Sequence, residues 1–344
     1  TSCCSSSRRG GIPEPAFVLG VMKGGTSALC DGLVGHRQIL RGRALDNEPA
    51  FYSKELHFFN HESRHAQGAE FFFRHFAHAH AVLPPANNNS SNNNNSNNSN
   101  LTLSTDLAPD NPRFALDCTP NYFTGPAPVA NRIKETFGHL PRLRMAIVLR
   151  DPVLRTVSHF RHAVALGWLE LKRNNPDHWA ARLAALANGN IDATIASCLQ
   201  QHQDCVRRRN ATTWVDIVGQ CHICSSLLSL GLYDTAWRHW EAVFRASQPS
   251  VQFCFISNTA LRNDAAAVVS RVAQFFGTTV ADEVGITRAV ARSQGRHSRS
   301  HVVARGNQKL EPSIDAIEQL SNFYYNSGRA LFDKVEAAGG VLGC

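Results

Sequence analysis

Three groups of residues in this sequence have the types and spacing to handle an anion and a proton. The first is Lys23-Gly24-Gly25-Thr26-Ser27, which follows an apolar run. Two glycines let backbone N–H groups approach an anion closely, Lys23 adds a mobile positive charge, and Thr26 and Ser27 add hydroxyl donors. The second is Lys54-Glu55-Leu56-His57-Phe58-Phe59. Partial burial beside the Phe pair is expected to raise the pKa of Glu55 or lower that of His57, moving either toward neutrality. A group so poised can take a proton from an attacking hydroxyl. The third is Arg150-Asp151-Pro152, with Ser158 downstream. Pro152 suits the first turn of a helix, which puts Ser158 two turns beyond Arg150. A phosphate can then be gripped by the guanidinium fork and by the serine hydroxyl together. Each group also has a plain structural reading: a tight β–α turn, a charged strand edge ending in core aromatics, and a common turn before a helix.

The elements that must position these residues are legible as alternating short apolar runs and helical stretches. Residues 16–20 read as a buried strand, followed by the Gly-rich turn and a helix through about Val34. Residues 114–117, 145–149 and 251–256 read as further strands, the first two each followed by a Pro-containing turn and a helix. Past Pro312, the residues Ile314, Ile317, Leu320, Phe323 and Tyr324 recur at helical spacing and predict a core-facing helix. Strands alternating with helices imply βαβ units, hence an α/β, P-loop-like three-layer fold with a central parallel sheet flanked by helices. One domain is expected over residues 14–338, behind a flexible tether at 1–13. Residues 87–100 are almost pure Asn and Ser, which makes 84–112 a disordered insertion within that domain.

The nucleotide-triphosphatase loop, Gly-x4-Gly-Lys-Ser/Thr, aligns with Gly20, Gly25 and Ser27, but Thr26 occupies the lysine position. The cation has moved to Lys23. In this form Lys23-Gly-Gly-Thr-Ser-Ala-Leu29 resembles the 5′-phosphosulfate loop of sulfotransferases that use 3′-phosphoadenosine 5′-phosphosulfate (PAPS), especially the Golgi carbohydrate type. Lys54-Glu-Leu-His-Phe-Phe59 is similar to the Lys-Glu-x-His-Phe-Phe segment of heparan sulfate sulfotransferases. Leu116-Asp117-Cys118-Thr119-Pro120-Asn121-Tyr122-Phe123 resembles their Glu-Lys-Thr-Pro-x-Tyr-Phe segment, with Asp117 for the Glu and Cys118 for a lysine that some members carry near the acceptor. Leu149-Arg-Asp-Pro-Val-Leu-Arg-Thr-Val-Ser158 resembles the family's 3′-phosphate segment, about 125 residues after the loop as in the family. Gly231-Leu232-Tyr233 with Trp237 and Trp240 looks like a family helix start, read as mainly core. Ser293-Gln294-Gly295-Arg296 resembles the late Lys-Gly-Arg loop that closes over PAPS, although Gln294 replaces the lysine.

The resemblance implies transfer of a sulfuryl group from PAPS to a hydroxyl or amine, on a carbohydrate by the type it resembles. It implies Glu55 as the base, with His57 as the second choice, and Lys23, Thr26 and the loop amides of Gly24, Gly25 and Ser27 on the 5′ anion. Arg150 and Ser158 would hold the 3′-phosphate, with Gly295 and Arg296 as further donor contacts, and no metal is required. An ATP-dependent small-molecule kinase of P-loop type is the enzyme alternative, and it lacks the lysine directly before the loop Ser/Thr. A non-enzymatic polyanion-binding module is the other alternative, and it would leave Glu55 and His57 replaceable.

The remaining composition is consistent with these readings. The chain has 344 residues, 43% hydrophobic and 18% charged, with a formal charge of +8 and a pI near 9.1. That balance favours anionic partners. Arg207, Arg208, Arg209, Arg292, Arg296 and Arg299 are candidates for a cleft that takes an acidic glycan, or equally a solvated surface; nucleic acid is not expected as a partner. Of the ten cysteines, Cys198, Cys205, Cys221 and Cys224 crowd into a Cys-containing insertion at 170–226. Cys221-x-x-Cys224 has zinc-ligand spacing, whereas Cys198-x6-Cys205 does not, which favours a disulfide-clamped segment in an oxidising compartment. Asn-x-Ser/Thr triplets at Asn88, Asn89, Asn94, Asn97, Asn100 and Asn210 are compatible with a secreted glycoprotein. No run long enough to span a membrane exists, and the chain starts at Thr1. By resemblance, a Golgi-lumenal location with an N-terminal anchor outside this stretch is expected.

Overall fold

The computed structural model describes residues 13–77, 113–172, 177, 190–221, 224, 227–245, 251–279, 281–300, 311–325 and 328–344. The expected Asn-rich insertion lies outside these residues, as do Cys3, Cys4 and all but the last residue of the expected tether. The elements in chain order are β1 (Glu14–Val18), α1 (Thr26–Leu33), β2 (Ile39–Arg41), α2 (Glu62–His65), α3 (Gly68–Arg74), β3 (Phe114–Asp117) and α4 (Pro128–Phe137). They continue as β4 (Leu143–Leu149), α5 (Pro152–Lys172), α6 (Ile191–Arg209), α7 (Trp214–Gln220), α8 (Tyr233–Phe244) and β5 (Val251–Ser257). The chain finishes with α9 (Asn258–Asn263), α10 (Ala265–Phe276), α11 (Glu283–Ser300), α12 (Ile314–Tyr325), α13 (Ala330–Ala337) and β6 (Val341–Leu342).

The six strands form one sheet in the order β2-β3-β1-β4-β5-β6. The first five are mutually parallel, and β6 pairs antiparallel with β5. Successive residues of a strand point to opposite faces, and here both faces are buried. On β4, Met145, Ile147 and Leu149 join one core with Phe17, Phe59, Phe72, Phe160 and Trp240. Ala146 and Val148 join the other, with Val18, Leu29, Leu33, Val269 and Val272. Helices therefore cover both sides of the sheet, which makes the fold the three-layer α/β arrangement expected from the sequence.

Every strand read from the sequence is present. The sheet runs past the expected boundary at 338 through β6, and Cys344 just beyond it is disulfide-bonded to Cys254. On α12, Leu320 and Tyr324 are buried as expected, but Ile314 is 85% exposed. It is the first residue of the helix, where the turn has not yet reached the core, and Ala316 occupies the inward position instead.

The cysteine-rich segment is clamped by two nested disulfides, Cys198–Cys224 and Cys205–Cys221, with Cα atoms 5.9 and 5.7 Å apart. That pairing occupies the four sulfurs a zinc site would have used. The segment is not a peripheral appendage, because Ile191, Ile195, Cys198, Leu199 and Trp214 are part of the larger core. Disulfides of this density fit a secreted or lumenal compartment. Among the described residues no helix is long and apolar enough to cross a membrane.

Candidate active site

In an open parallel sheet, ligands bind beyond the carboxyl ends of the strands, where the strand order reverses. Here that crevice lies between β1 and β4, with β1 leading toward β3 and β2 on one side and β4 leading to β5 on the other. The Gly-rich loop leaves β1 at this point, and Arg150 leaves β4 beside it.

The loop packs directly against the strand next to it. A side chain on Gly24 would place its Cβ 2.6 Å from the Val148 carbonyl oxygen. At Gly25 it would meet the Asn258 amide at 2.7 Å, and Gly25 has φ +113°. Lys23 itself sits in the left-handed region at φ +68°. Such backbone conformations in non-glycine residues concentrate where ligands are gripped. Helix α1 then starts at Thr26 with no side-chain cap and no acidic residue in its first turn. The Ala28 and Leu29 N–H groups close onto the Gly25 carbonyl at 3.0 and 3.2 Å, and the positive end of the helix, with the Thr26 and Ser27 N–H groups at its start, faces the crevice.

Two cations converge on the loop. Arg150 Nη1 donates to the Lys23 carbonyl at 3.3 Å, and the Arg150 carbonyl in turn accepts from the Tyr233 hydroxyl at 2.9 Å. Burial lowers the pKa of the Lys23 ammonium, and the charges of Arg150 and Lys54 lower it further. Burial likewise pushes Arg150 down, helped by Arg262. An anion placed beside such a buried cation relieves the depression. Ser158, half-buried on α5, lies two turns beyond Arg150, as its spacing required.

The candidate base lies on residues 54–60, held by an unusual number of backbone bonds. Asp117 is the anchor. Its Oδ1 accepts from the Leu56 N–H (3.4 Å), the Thr119 N–H (3.1 Å) and the Thr119 hydroxyl (2.8 Å). Its Oδ2 accepts from the Tyr122 hydroxyl at 2.7 Å. Thr119 Oγ1 then accepts from the His57 N–H at 3.0 Å, and Tyr122 Oη from the Phe59 N–H at 3.3 Å. Asp117 is 1% exposed, and burial raises its pKa against the opposing hydrogen bonds of Tyr122 and Thr119. This network holds His57 at φ +50°.

Glu55 and His57, the candidate base and its alternative, lie together. Glu55 Oε2 lies 3.4 Å from His57 Nε2, and Oε1 lies 3.2 Å from Lys54 Nζ. On the far side of the ring, His57 Nδ1 lies 3.1 Å from Asn60 Nδ2, which also donates to Asn121 Oδ1 at 2.7 Å. With Asn60 donating, Nδ1 is the acceptor and Nε2–H is left to face Glu55. The expectation that burial would raise the Glu55 pKa needs correction. Burial does push it up, but the His57 hydrogen bond and the Lys54 and His57 charges outweigh burial and leave the carboxyl below its ordinary value. Glu55 is therefore ionised at neutral pH, in the form a base needs.

Cys118, at the position where some of the resembled enzymes carry a lysine near the acceptor, turns inward. It is buried and disulfide-bonded to Cys30 of α1, so no side chain from this position reaches into a cleft. Gly295 and Arg296 lie within helix α11 rather than in a loop, and the direction of the Arg296 side chain is outside the described residues. The group Gly231, Tyr233, Trp237 and Trp240 is core, as read. Arg207, Arg208 and Arg209 form the exposed last turn of α6, with Arg207 paired to Asp204 at 2.6 Å. That placement complements the negative end of the helix.

Several residues of this site were not singled out in the sequence. His162, one turn after Ser158 on α5, lies within electrostatic reach of the pair; burial and the Lys23 charge lower its pKa, and Glu55 partly offsets them. Its i+4 spacing from Ser158 was the available signal. Asn60 acts only through tertiary contacts and carried no signal of its own, whereas Thr119 stood in the family-like segment without an assigned role. Asn258, whose Nδ2 donates to the Gly24 carbonyl at 2.7 Å, was foreshadowed by Ser257-Asn258, a helix-start pair at the end of a strand.

No family model matches the sequence, and no curated protein is similar to it. Among solved structures, the chain is similar to the crystal structure of a sulfotransferase from Alicyclobacillus acidocaldarius. The identity is 16% and the TM-score 0.41, over 90% of this chain and 100% of that one. At that level of likeness, the functional reading rests on the residues themselves.

Proposed function

We propose that this protein is a PAPS-dependent sulfotransferase acting on a hydroxyl, with a carbohydrate as the acceptor class. The observation that carries the reading is the convergence at one crevice of the Lys23 loop, Arg150 and the Glu55–His57 pair. The residues fit the donor. Gly24 and Gly25 leave a cradle that a Cβ would fill, and two cations, Lys23 with its pKa lowered by burial and by Arg150, and Arg150 with its pKa lowered by burial and by Arg262, suit a ligand with anions at both its 5′ and 3′ ends. PAPS supplies the sulfuryl group on a phosphate leaving group.

The chain's own residues do the rest. Glu55 takes the acceptor's hydroxyl proton as the oxygen forms its bond to sulfur, and His57 Nε2–H orients the carboxylate. Lys23, the Thr26 hydroxyl and the first N–H groups of α1 stabilise the charge that collects on the phosphate oxygen as the sulfur–oxygen bond breaks. Arg150 and Ser158 fix the position of the donor through its 3′-phosphate, so that attack is in line. A kinase reading is disfavoured by Thr26 at the position where that chemistry places lysine. The disulfides and the exposed Asn210 of the Asn210-Ala211-Thr212 triplet support a lumenal site of action, for which we propose the Golgi. The test is transfer of radiolabelled sulfate from PAPS across a panel of acidic glycans, neutral glycans and small alcohols. Labelling of glycans supports the reading, labelling of small alcohols alone overturns the acceptor class, and labelling of nothing together with no binding of 3′-phosphoadenosine 5′-phosphate (PAP) overturns the reaction.

A further inference from the structure

Helix α9 follows β5 without a connecting loop, and the register of the sheet decides where it lands. Leu149 pairs with Ser257 across β4 and β5, so the next residues, Arg150 and Asn258, leave the sheet side by side. Ser257 caps α9 by accepting from the Ala260 N–H at 3.0 Å, which fixes the direction of the helix. Asn258 is its first residue, and Arg262, exposed, lies one turn further on the same face.

The two side chains serve different parts of the crevice. Asn258 Nδ2 donates to the Gly24 carbonyl at 2.7 Å. In a trans peptide the carbonyl and the following N–H point in opposite directions. Holding the Gly24 oxygen on the α9 side therefore turns the Gly25 N–H away from α9, into the loop. Arg262 stands close enough to Arg150 to be, after burial, the main influence lowering its pKa. The β4–β5 register and this charge effect together put Arg262 in the neighbourhood of Arg150 on the β5 side of the crevice, whereas residues 56–59 are bonded to Asp117, Thr119 and Tyr122 at the β3 side.

We propose that α9 is a third arm of the donor site, Asn258 setting the peptide that presents the Gly25 N–H to the 5′ anion and Arg262 adding a second guanidinium to the 3′-phosphate held by Arg150. The proposal rests on the PAPS reading and deepens it by assigning the two ends of the nucleotide to two residues of one short helix. Asn258 is a positioning residue, because it acts through the loop. Arg262 touches the ligand.

Calorimetric titration of the whole chain with PAP and with adenosine 5′-monophosphate, which lacks the 3′-phosphate, separates the two roles. Arg262→Ala is expected to weaken PAP about tenfold, the scale of a lost charge-assisted bond, and to leave adenosine 5′-monophosphate unchanged. Asn258→Ala is expected to weaken both nucleotides by a similar factor while the melting temperature holds. Asn258→Ser, which keeps a donor, should recover part of the loss. Unchanged PAP affinity in Arg262→Ala, or equal loss for both nucleotides, overturns the assignment of Arg262. Equal binding by Asn258→Ala and the parent chain, or loss only with a falling melting temperature, overturns that of Asn258. A parent chain that binds neither nucleotide removes the donor reading itself, an outcome distinct from the failure of either variant.

Discussion

Cys30 of α1 and Cys118 after β3 are joined by a disulfide, with Cα atoms 6.4 Å apart. The helix that begins at the phosphate loop is thereby tied to the residue next to Thr119, whose hydroxyl holds the His57 backbone. In the proposed function this links the donor side and the base side of the crevice covalently across 88 residues of sequence. Loop-closure entropy for a crosslink of that span is about 4–5 kcal/mol. The double variant Cys30→Ser/Cys118→Ser is expected to lose roughly 2–5 kcal/mol in chemical denaturation. Transfer should fall further than PAP affinity, because the base segment loses its register while the loop keeps its glycines. A variant as stable and active as the parent would show that the tie is dispensable.

Glu55 and His57 can be told apart by pH. A base must be deprotonated, so its acid limb lies at its own pKa in the enzyme. Glu55 is held below its ordinary range by His57 and Lys54 against the effect of burial. With Glu55 as the base, kcat stays flat from neutrality down toward the carboxylate range. His57→Ala removes the main partner that lowers Glu55 and leaves burial, so the acid limb should move to higher pH. An acid limb near the imidazole range in the parent, abolished in His57→Ala, would instead make His57 the base.

Lys23 gives the opposite, alkaline limb. Its pKa lies below the ordinary 10.5 because of burial, Arg150 and Lys54. The ammonium must be charged to hold the 5′ anion, so PAP affinity should fall as pH rises through that lowered value. Lys23→Arg keeps its proton throughout and should move the fall out of the accessible range, whatever it does to absolute affinity. A PAP affinity with the same alkaline dependence in both proteins would remove Lys23 from the binding site.

How much of this was legible beforehand depends on how local each cause was. The strands at 114–117 and 145–149 and the Gly-rich turn were readable because apolar runs and glycines act within a few residues of themselves. Lys23, Glu55, His57 and Arg150 were picked out as candidates because their spacing matched a family pattern, and the fold brings them to one crevice. What escaped was set by distance in sequence. Asp117 stood in the sequence only as a shorter carboxylate in place of the family's Glu; three of its four bonds go to residues after it and the fourth reaches back to Leu56, making it a buried anchor. Cys118 looked like a replaced lysine, and only folding brings it to Cys30. The direction of the Glu55 shift was misread because burial alone was visible, while the geometry that lets Lys54 and His57 both reach one carboxylate was not.

The most direct test of the account is the rate at which PAP is formed from PAPS with a competent acceptor present, compared among the parent chain, Glu55→Gln and Lys23→Ala. Acceptor-dependent PAP formation by the parent is expected, at a rate reduced about a hundredfold or more in Glu55→Gln, which keeps the parent's PAP affinity. Lys23→Ala should lose both rate and affinity. PAP formation at the parental rate in Glu55→Gln, or tight PAP binding that never leads to transfer, would contradict the assignment of this crevice as the place where the sulfuryl group moves.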